Sequence, residues 1–306
     1  MSGNKHDLHS KQDDVKIIDI EKVIAGKSQR LARLLPRFIL RYLKRILHED
    51  SINRLLIDHK DVIGLQFTDS ILTHFGLRIM VHGLSNIEND ERLIIASNHP
   101  LGGLDGVALM NVVGRVRPNL IFPVNDLLLY LTNLKDYLIP INKHGGNPKS
   151  AVKMFDDMMA SDKTILYFPA GLVSRKKKKK IVDLKWKKTF VTKAKKHSRK
   201  IVPVYIDGKN SNFFYNLANL RKFLKIKSNI EMLYLVDETY KHYNQDINIF
   251  IGPPISFDDS LQGLNDEQIA EHIKKMVYDL PASPQFKTDE MLRIDFKNNE
   301  FQPCSH

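Results

Sequence analysis

Leu93-Ile94-Ile95-Ala96-Ser97-Asn98-His99-Pro100-Leu101-Gly102-Gly103-Leu104-Asp105-Gly106 is the stretch whose reading decides the fold. Its apolar opening, 93–96, reads as a buried strand that stops at Ser97 and Asn98. The mostly apolar run after Gly106 reads as a buried helix. Strand, tight glycine-rich turn and helix therefore follow one another, with a histidine and an aspartate in the turn. Pro100 pushes His99 out of helical geometry and leaves its imidazole at a strand end. Gly102 and Gly103 let the backbone fold back far enough for the Asp105 carboxylate to approach that ring. A carboxylate on one ring nitrogen fixes the tautomer and makes the other nitrogen a better base. The alternative is an aspartate that merely caps the following helix.

Around this stretch, short apolar runs alternate with helical patterns. Strands are expected at 77–82, 92–97, 120–124, 137–141, 164–168, 201–206 and 247–252, and helices at 106–116, 126–134, 148–160, 186–197, 211–225 and 266–280. Strands alternating with helices of this length predict an α/β fold, a mostly parallel central sheet of about seven strands flanked by helices. In such sheets ligands sit outside the carboxyl ends of the strands, where His99 falls. The expected organisation is a disordered tail at 1–15, an N-terminal amphipathic helical segment at 16–76, the α/β domain at 77–285 and a polar C-terminal tail at 286–306.

Composition narrows the partners. The 306 residues carry a formal charge of +12, with 42% hydrophobic and 27% charged residues. Such a surplus of cations points to an anionic partner: a membrane surface, nucleic acid or a phosphorylated substrate. The single cysteine, Cys304, excludes a disulfide framework and a cysteine-built metal site. The amino end lacks the apolar core of a secretion signal, and no run of about 18 uncharged apolar residues predicts a spanning helix.

Arg30, Arg33, Arg37, Arg41 and Lys44 recur at three- and four-residue spacing beside Phe38 and Tyr42, with no acid before Glu49. The pattern predicts one interrupted amphipathic helix, broken or reopened at Pro36, lying on anionic lipid. Its contacts would be Arg33, Arg37, Phe38, Arg41, Tyr42 and Lys44. Downstream, a strand runs into Phe168-Pro169-Ala170-Gly171-Leu172-Val173-Ser174-Arg175 and then five lysines, Lys176 to Lys180, with Asp183 the lone acid among the cations that follow. The lysines read as a diffuse attraction for headgroups, coenzyme phosphates or an acidic carrier protein, and Ser174 and Arg175 as candidates for specific contacts. No nucleic-acid-binding motif accompanies these cations, and no nucleic-acid partner is expected.

Four strand ends, taken in order, carry a resemblance: Asn98-His99-Pro100 to Asp105, Ile139 to Lys143, Phe168-Pro169-Ala170-Gly171, and Ile201-Val202-Pro203-Val204. Together they resemble the phospholipid and glycerol acyltransferase family of the lysophosphatidate acyltransferase type, over roughly residues 77 to 256. Five residues separate the histidine and aspartate here, one more than the family's four. Ala170 and Val173 stand where the family has a glutamate and an arginine, the latter a phosphate contact. The wording is most similar to the bacterial haemolysin-like, amino-acid-lipid (ornithine or glycine lipid) O-acyltransferase branch.

The resemblance implies transfer of an acyl chain from a thioester, on coenzyme A or acyl carrier protein, to a lysolipid hydroxyl. His99 would be general base and Asp105 its orienting partner, with no acyl-enzyme, metal or resident cofactor. Substrate contacts would come from Asn98, Gly102, Gly103, Lys143, Pro169, Gly171, Ser174 and Arg175. Amides near Gly102, Gly103 or Gly171 would hold the oxyanion, and Arg175 or Lys143 would replace the absent arginine. The implied location is the cytoplasmic face of the inner membrane, bound peripherally. Alternatives are a lysophosphatidate acyltransferase proper, or a non-catalytic basic protein binding membrane or nucleic acid.

Overall fold

The computed structural model describes residues 16–88, 91–124, 126–140, 148–257, 261–288, 291–296, 298 and 300–304. The chain divides into two compact units on either side of the Asp58–His59 bond.

The first unit is helical: α1 (Ile20–Lys27), α2 (Gln29–Leu34), α3 (Arg37–Ile46) and α4 (Glu49–Asp58). Asp19 and Ser28 cap the first two by accepting from first-turn backbone N–H groups. Pro36 separates α2 from α3, since its ring and missing N–H do not fit a helix interior. Arg33, Arg37, Phe38, Arg41 and Tyr42 are exposed, as a surface-lying helix requires. Lys44 departs from that expectation. Its ammonium is drawn off the basic face onto Glu21 at 2.5 Å, with the buried Glu49 at 3.8 Å.

The second unit holds α5 (Leu65–His74), β1 (Arg78–His82), β2 (Leu93–Ser97), α6 (Gly103–Val116), β3 (Leu120–Val124), β4 (Leu138–Pro140), α7 (Pro148–Ala160) and β5 (Thr164–Tyr167). It continues through β6 (Arg175–Lys177), β7 (Lys180–Val182), α8 (Thr189–Lys196), β8 (Lys200–Ile206), α9 (Asn212–Phe223), α10 (Leu235–Tyr240), β9 (Asp246–Ile251), α11 (Asp266–Asp279), α12 (Gln285–Thr288), β10 (Leu292–Asp295) and β11 (Glu300–Pro303). Helix α5 belongs here because it packs on α6. Asn111 donates to Thr68 and Asp69, and Arg115 pairs with Asp69 at 2.5 Å. The expected boundary at 76/77 therefore falls at 58/59.

The main sheet has nine strands in the order β11-β10-β1-β9-β8-β2-β5-β3-β4. From β8 to β4 every pairing is parallel, β9 runs antiparallel to β8, and β1 is parallel to β9. The strands alternate side chains between faces. Ile94, Ala96, Ile121, Ile165 and Ile201 join a core with α7, α8 and α11 through Met158, Phe190, Ile273 and Val277. Phe122, next to Ile121, meets α6 instead: a Cβ added at Gly106 would lie 2.6 Å from its ring.

Three expectations are corrected. The region expected as a polar tail, 286–306, supplies β10 and β11, which pair antiparallel onto β1 and raise the strand number. The lysine run folds as the β6–β7 hairpin, turning at Lys178 with φ 55°. The helix expected at 126–134 is two 3₁₀ turns, Asp126–Tyr130 and Thr132–Leu134.

Candidate active site

β2 delivers His99 to the carboxyl edge of the sheet between the ends of β8 and β5. The chain then doubles back at Gly102, whose φ of 83° suits glycine, and enters α6. Asp105, in the first turn of α6, points back along the turn. Its Oδ2 lies 2.9 Å from His99 Nδ1 and accepts from the backbone N–H of Leu101 at 2.7 Å and Gly102 at 3.0 Å. With that oxygen collecting donors, Nδ1 carries the proton and Nε2 keeps its lone pair. The carboxylate is fully buried while the imidazole is 19% exposed, so the pair has a sealed end and an open end. Burial pushes the Asp105 carboxyl above the ordinary carboxylate range, and the hydrogen bonds from His99, Leu101 and Gly102 pull the other way.

The ring is held on its face as well. Phe168, just past β5, stacks on His99 with centroids 4.2 Å apart, and Phe122 meets Phe168 edge-on at 5.5 Å. The backbone is held by the loop around the lysine hairpin. Ser174 N–H donates to His99 O at 2.8 Å, and Asp183 Oδ1 accepts from His99 N–H at 3.3 Å. Asp183 also accepts from Ser174 Oγ at 2.5 Å and Trp186 Nε1 at 2.8 Å. Sequence reasoning passed over Phe168 and Asp183 as site residues. The signal for Asp183 was its solitude as an acid among cations.

Several predicted contacts are occupied within the protein. Asn98 is buried, and its amide clasps the Ile206 backbone, accepting at 2.7 Å and donating at 2.9 Å. It ties β2 to β8, with its amide nitrogen and oxygen both engaged there. Ser174 is turned onto Asp183. Arg175 is buried, donates to Glu231 Oε1 at 2.8 Å and lies over Phe214. Strand alternation in β6 turns it beneath α9, so it does not replace the family's arginine. The amides of Gly102 and Gly171 are spent on Asp105 and Phe168 O, which removes both as oxyanion donors. Gly103 remains, and a Cβ there would meet nothing within 4 Å. Pro169 is buried, and its carbonyl accepts from Lys187 N–H. Lys143 lies outside the described residues.

A cleft of about 880 Å³ opens on the β8 side of the turn, lined by Asn98, Pro100, Leu101, Tyr205, Asn210 and Tyr278 among others. It shares the backbone of the turn, but neither His99 nor Asp105 lines it. Asn210, on its wall, donates to Pro100 O at 3.0 Å. Among the described residues, no group of three or more His, Cys, Asp or Glu is arranged to hold a metal ion. Nor is any helix among them long and apolar enough to cross a membrane.

The chain is similar to known proteins. The Acyltransferase family model matches residues 22–285. A lyso-glycine lipid O-acyltransferase of Phocaeicola vulgatus is 42% identical over 269 residues, covering 88% of this chain and 96% of that protein. One of the same name from Bacteroides thetaiotaomicron is 40% identical over 269 residues, covering 88% and 99%. Among solved structures, the 1-acyl-sn-glycerophosphate (LPA) acyltransferase PlsC from Thermotoga maritima aligns with a TM-score of 0.43 at 15% identity, covering 87% of this chain and 97% of that one. With a family match over most of its length and relatives at this identity, the chain belongs to the Acyltransferase family and is an acyltransferase.

Proposed function

We propose that this enzyme O-acylates a lysolipid of the glycine-lipid kind, drawing the acyl chain from a thioester on coenzyme A or acyl carrier protein. The observation that carries the reading is the His99 Nδ1 to Asp105 Oδ2 contact, made at a strand end with the other ring nitrogen free to work as a base. The acceptor hydroxyl gives its proton to His99 Nε2 as its oxygen bonds to the thioester carbonyl carbon. The C–S bond then breaks and the imidazolium returns the proton to the leaving thiolate. Asp105 holds the tautomer and steadies the imidazolium. The Gly103 N–H, at the first turn of α6, is the donor for the developing oxyanion.

Two features support an acceptor without a phosphate. Ala170 and Val173 are buried apolar residues at the third strand end, and the neighbouring Arg175 is committed to Glu231. The names of the two relatives point the same way. The exposed arginines of α2 and α3, beside Phe38 and Tyr42, support contact with an anionic lipid surface. The step balances without a resident cofactor, so activity should survive exhaustive treatment with a chelator.

The test is transfer of a labelled acyl group to lyso-glycine lipid, read by mass spectrometry with each thioester in turn. His99→Ala should abolish the product while leaving the thermal melt in place. Undiminished transfer by that variant would overturn the mechanism. Transfer to glycerol phosphate lipids in preference to glycine lipids would overturn the acceptor.

A further inference from the structure

From Lys209 to Ile230 the chain has no acidic residue. Within it, α9 buries Phe214, Tyr215 and Ala218 against the domain. On the adjoining face Phe213, Leu217, Leu220 and Leu224 recur at i, i+4, i+7 and i+11, and all but Leu217 are exposed. Beside Leu224, Phe223 stands 81% exposed, the barest large hydrophobic side chain among the described residues.

The turn after α9 sets these tips rigidly. Ile226 N–H donates to Arg221 O at 3.0 Å and Lys225 N–H to Lys222 O at 3.1 Å, the paired bonds that close a helix end. Lys225 sits at φ 56°, where glycine is the default, so a cationic side chain is kept there at a backbone cost. Lys222, Lys225 and Lys227 are exposed and make no ion pair among the described residues, whereas Arg221 turns inward onto Glu231 at 2.9 Å. At the other end of α9, Lys176 Nζ donates to Asn212 Oδ1 at 2.9 Å. That bond brings the lysine hairpin, exposed at 177–180, beside the helix start.

We propose that the outer face of α9, the turn after it and the adjacent lysine hairpin form a docking surface for an anionic lipid bilayer, separate from the α2–α3 face. Contiguous exposed apolar side chains signal a partner. Lysines alternating with apolar tips, free of acids, match a surface that is negative outside and hydrocarbon within. The same cap holds the catalytic turn. Leu235 of α10 closes over Gly102, and Asn210, one residue before the α9 cap, is bonded to Pro100 O. Seating α9 on lipid therefore brings to the bilayer an element adjoining the residues that brace the His99 turn.

The experiment is co-sedimentation of the full chain with vesicles of phosphatidylcholine alone or mixed with phosphatidylglycerol. It is read without turnover, so it stands apart from the catalytic assignment. Phe223→Ser with Leu224→Ser should lower partition on both vesicles by about tenfold. Lys222→Glu with Lys225→Glu and Lys227→Glu should remove the preference for phosphatidylglycerol, a loss of about tenfold or more. Phe223→Leu should bind as the parent, and all variants should keep the parent's thermal melt. In an Arg33→Glu, Arg37→Glu, Arg41→Glu background, residual phosphatidylglycerol binding should persist and then vanish with the Phe223 and Leu224 changes. The proposal is overturned if these variants bind vesicles like the parent, or if no residual binding remains in that background. It is also overturned if they lose only capture of acyl carrier protein, an acidic protein, while keeping vesicles.

Discussion

Asp105 is an expensive residue to keep. Burial disfavours its charge, so its carboxyl titrates above the ordinary range in the folded chain. A group raised on folding contributes stability below its unfolded pKa and loses that contribution as pH rises through its folded pKa. At neutral pH the ionised Asp105 therefore weakens the fold. Asp105→Asn removes the charge: because His99 Nδ1 and the Leu101 and Gly102 N–H groups all meet Oδ2, its single amide oxygen can keep those three contacts, but the imidazolium loses its anionic partner. The rate should fall by about 10²- to 10⁴-fold. The thermal midpoint at neutral pH should equal or exceed the parent's, and a lower midpoint would contradict the burial argument.

Between neighbouring elements, the site depends on contacts one step removed from the imidazole. A methyl at Gly106 would press the Phe122 ring, which leans on Phe168, which stacks on His99. Gly106→Ala should cost about 1–3 kcal/mol in denaturant unfolding and lower the rate beyond what that loss explains. Asn98→Ala unclasps β2 from β8 and leaves the Ile206 N–H without its acceptor, at about 1–3 kcal/mol. Elements of this kind were legible in sequence wherever an apolar run gave way to polar or turn-forming residues, as at 93–97, 120–124, 164–167 and 200–206. The His99–Asp105 turn was legible because Pro100 and Gly102 constrain the backbone locally. What lay hidden depended on distant partners. Arg175 looked like a free cation because Glu231, which buries it, lies 56 residues away. The hairpin at 175–182 hid inside a charge run, since lysines on both faces erase the alternation that marks a strand. β10 and β11 hid because their polar sequences become strands only where β1 offers an edge.

Over the molecule as a whole, two further outcomes are expected. Tyr167 packs at the edge of the main core, and burial pushes its phenol up to about 12. Being raised, it stabilises the fold below pH 10 and loses that contribution between pH 10 and about 12. The parent should therefore lose about 2 kcal/mol more than Tyr167→Phe across that window, measured by urea unfolding at each pH. A chain ending before β10 would expose the backbone edge of β1, and should aggregate on heating at a lower temperature than the parent. β4 and β11 are the two outermost strands of the main sheet. β4 is three residues long and closes on Pro140, and β11 is four long and closes on Pro303. A proline at each rim withholds the N–H that an incoming chain would need for strand addition. Each rim is thus one donor short for strand addition, on a surface that also carries bare phenylalanine and leucine.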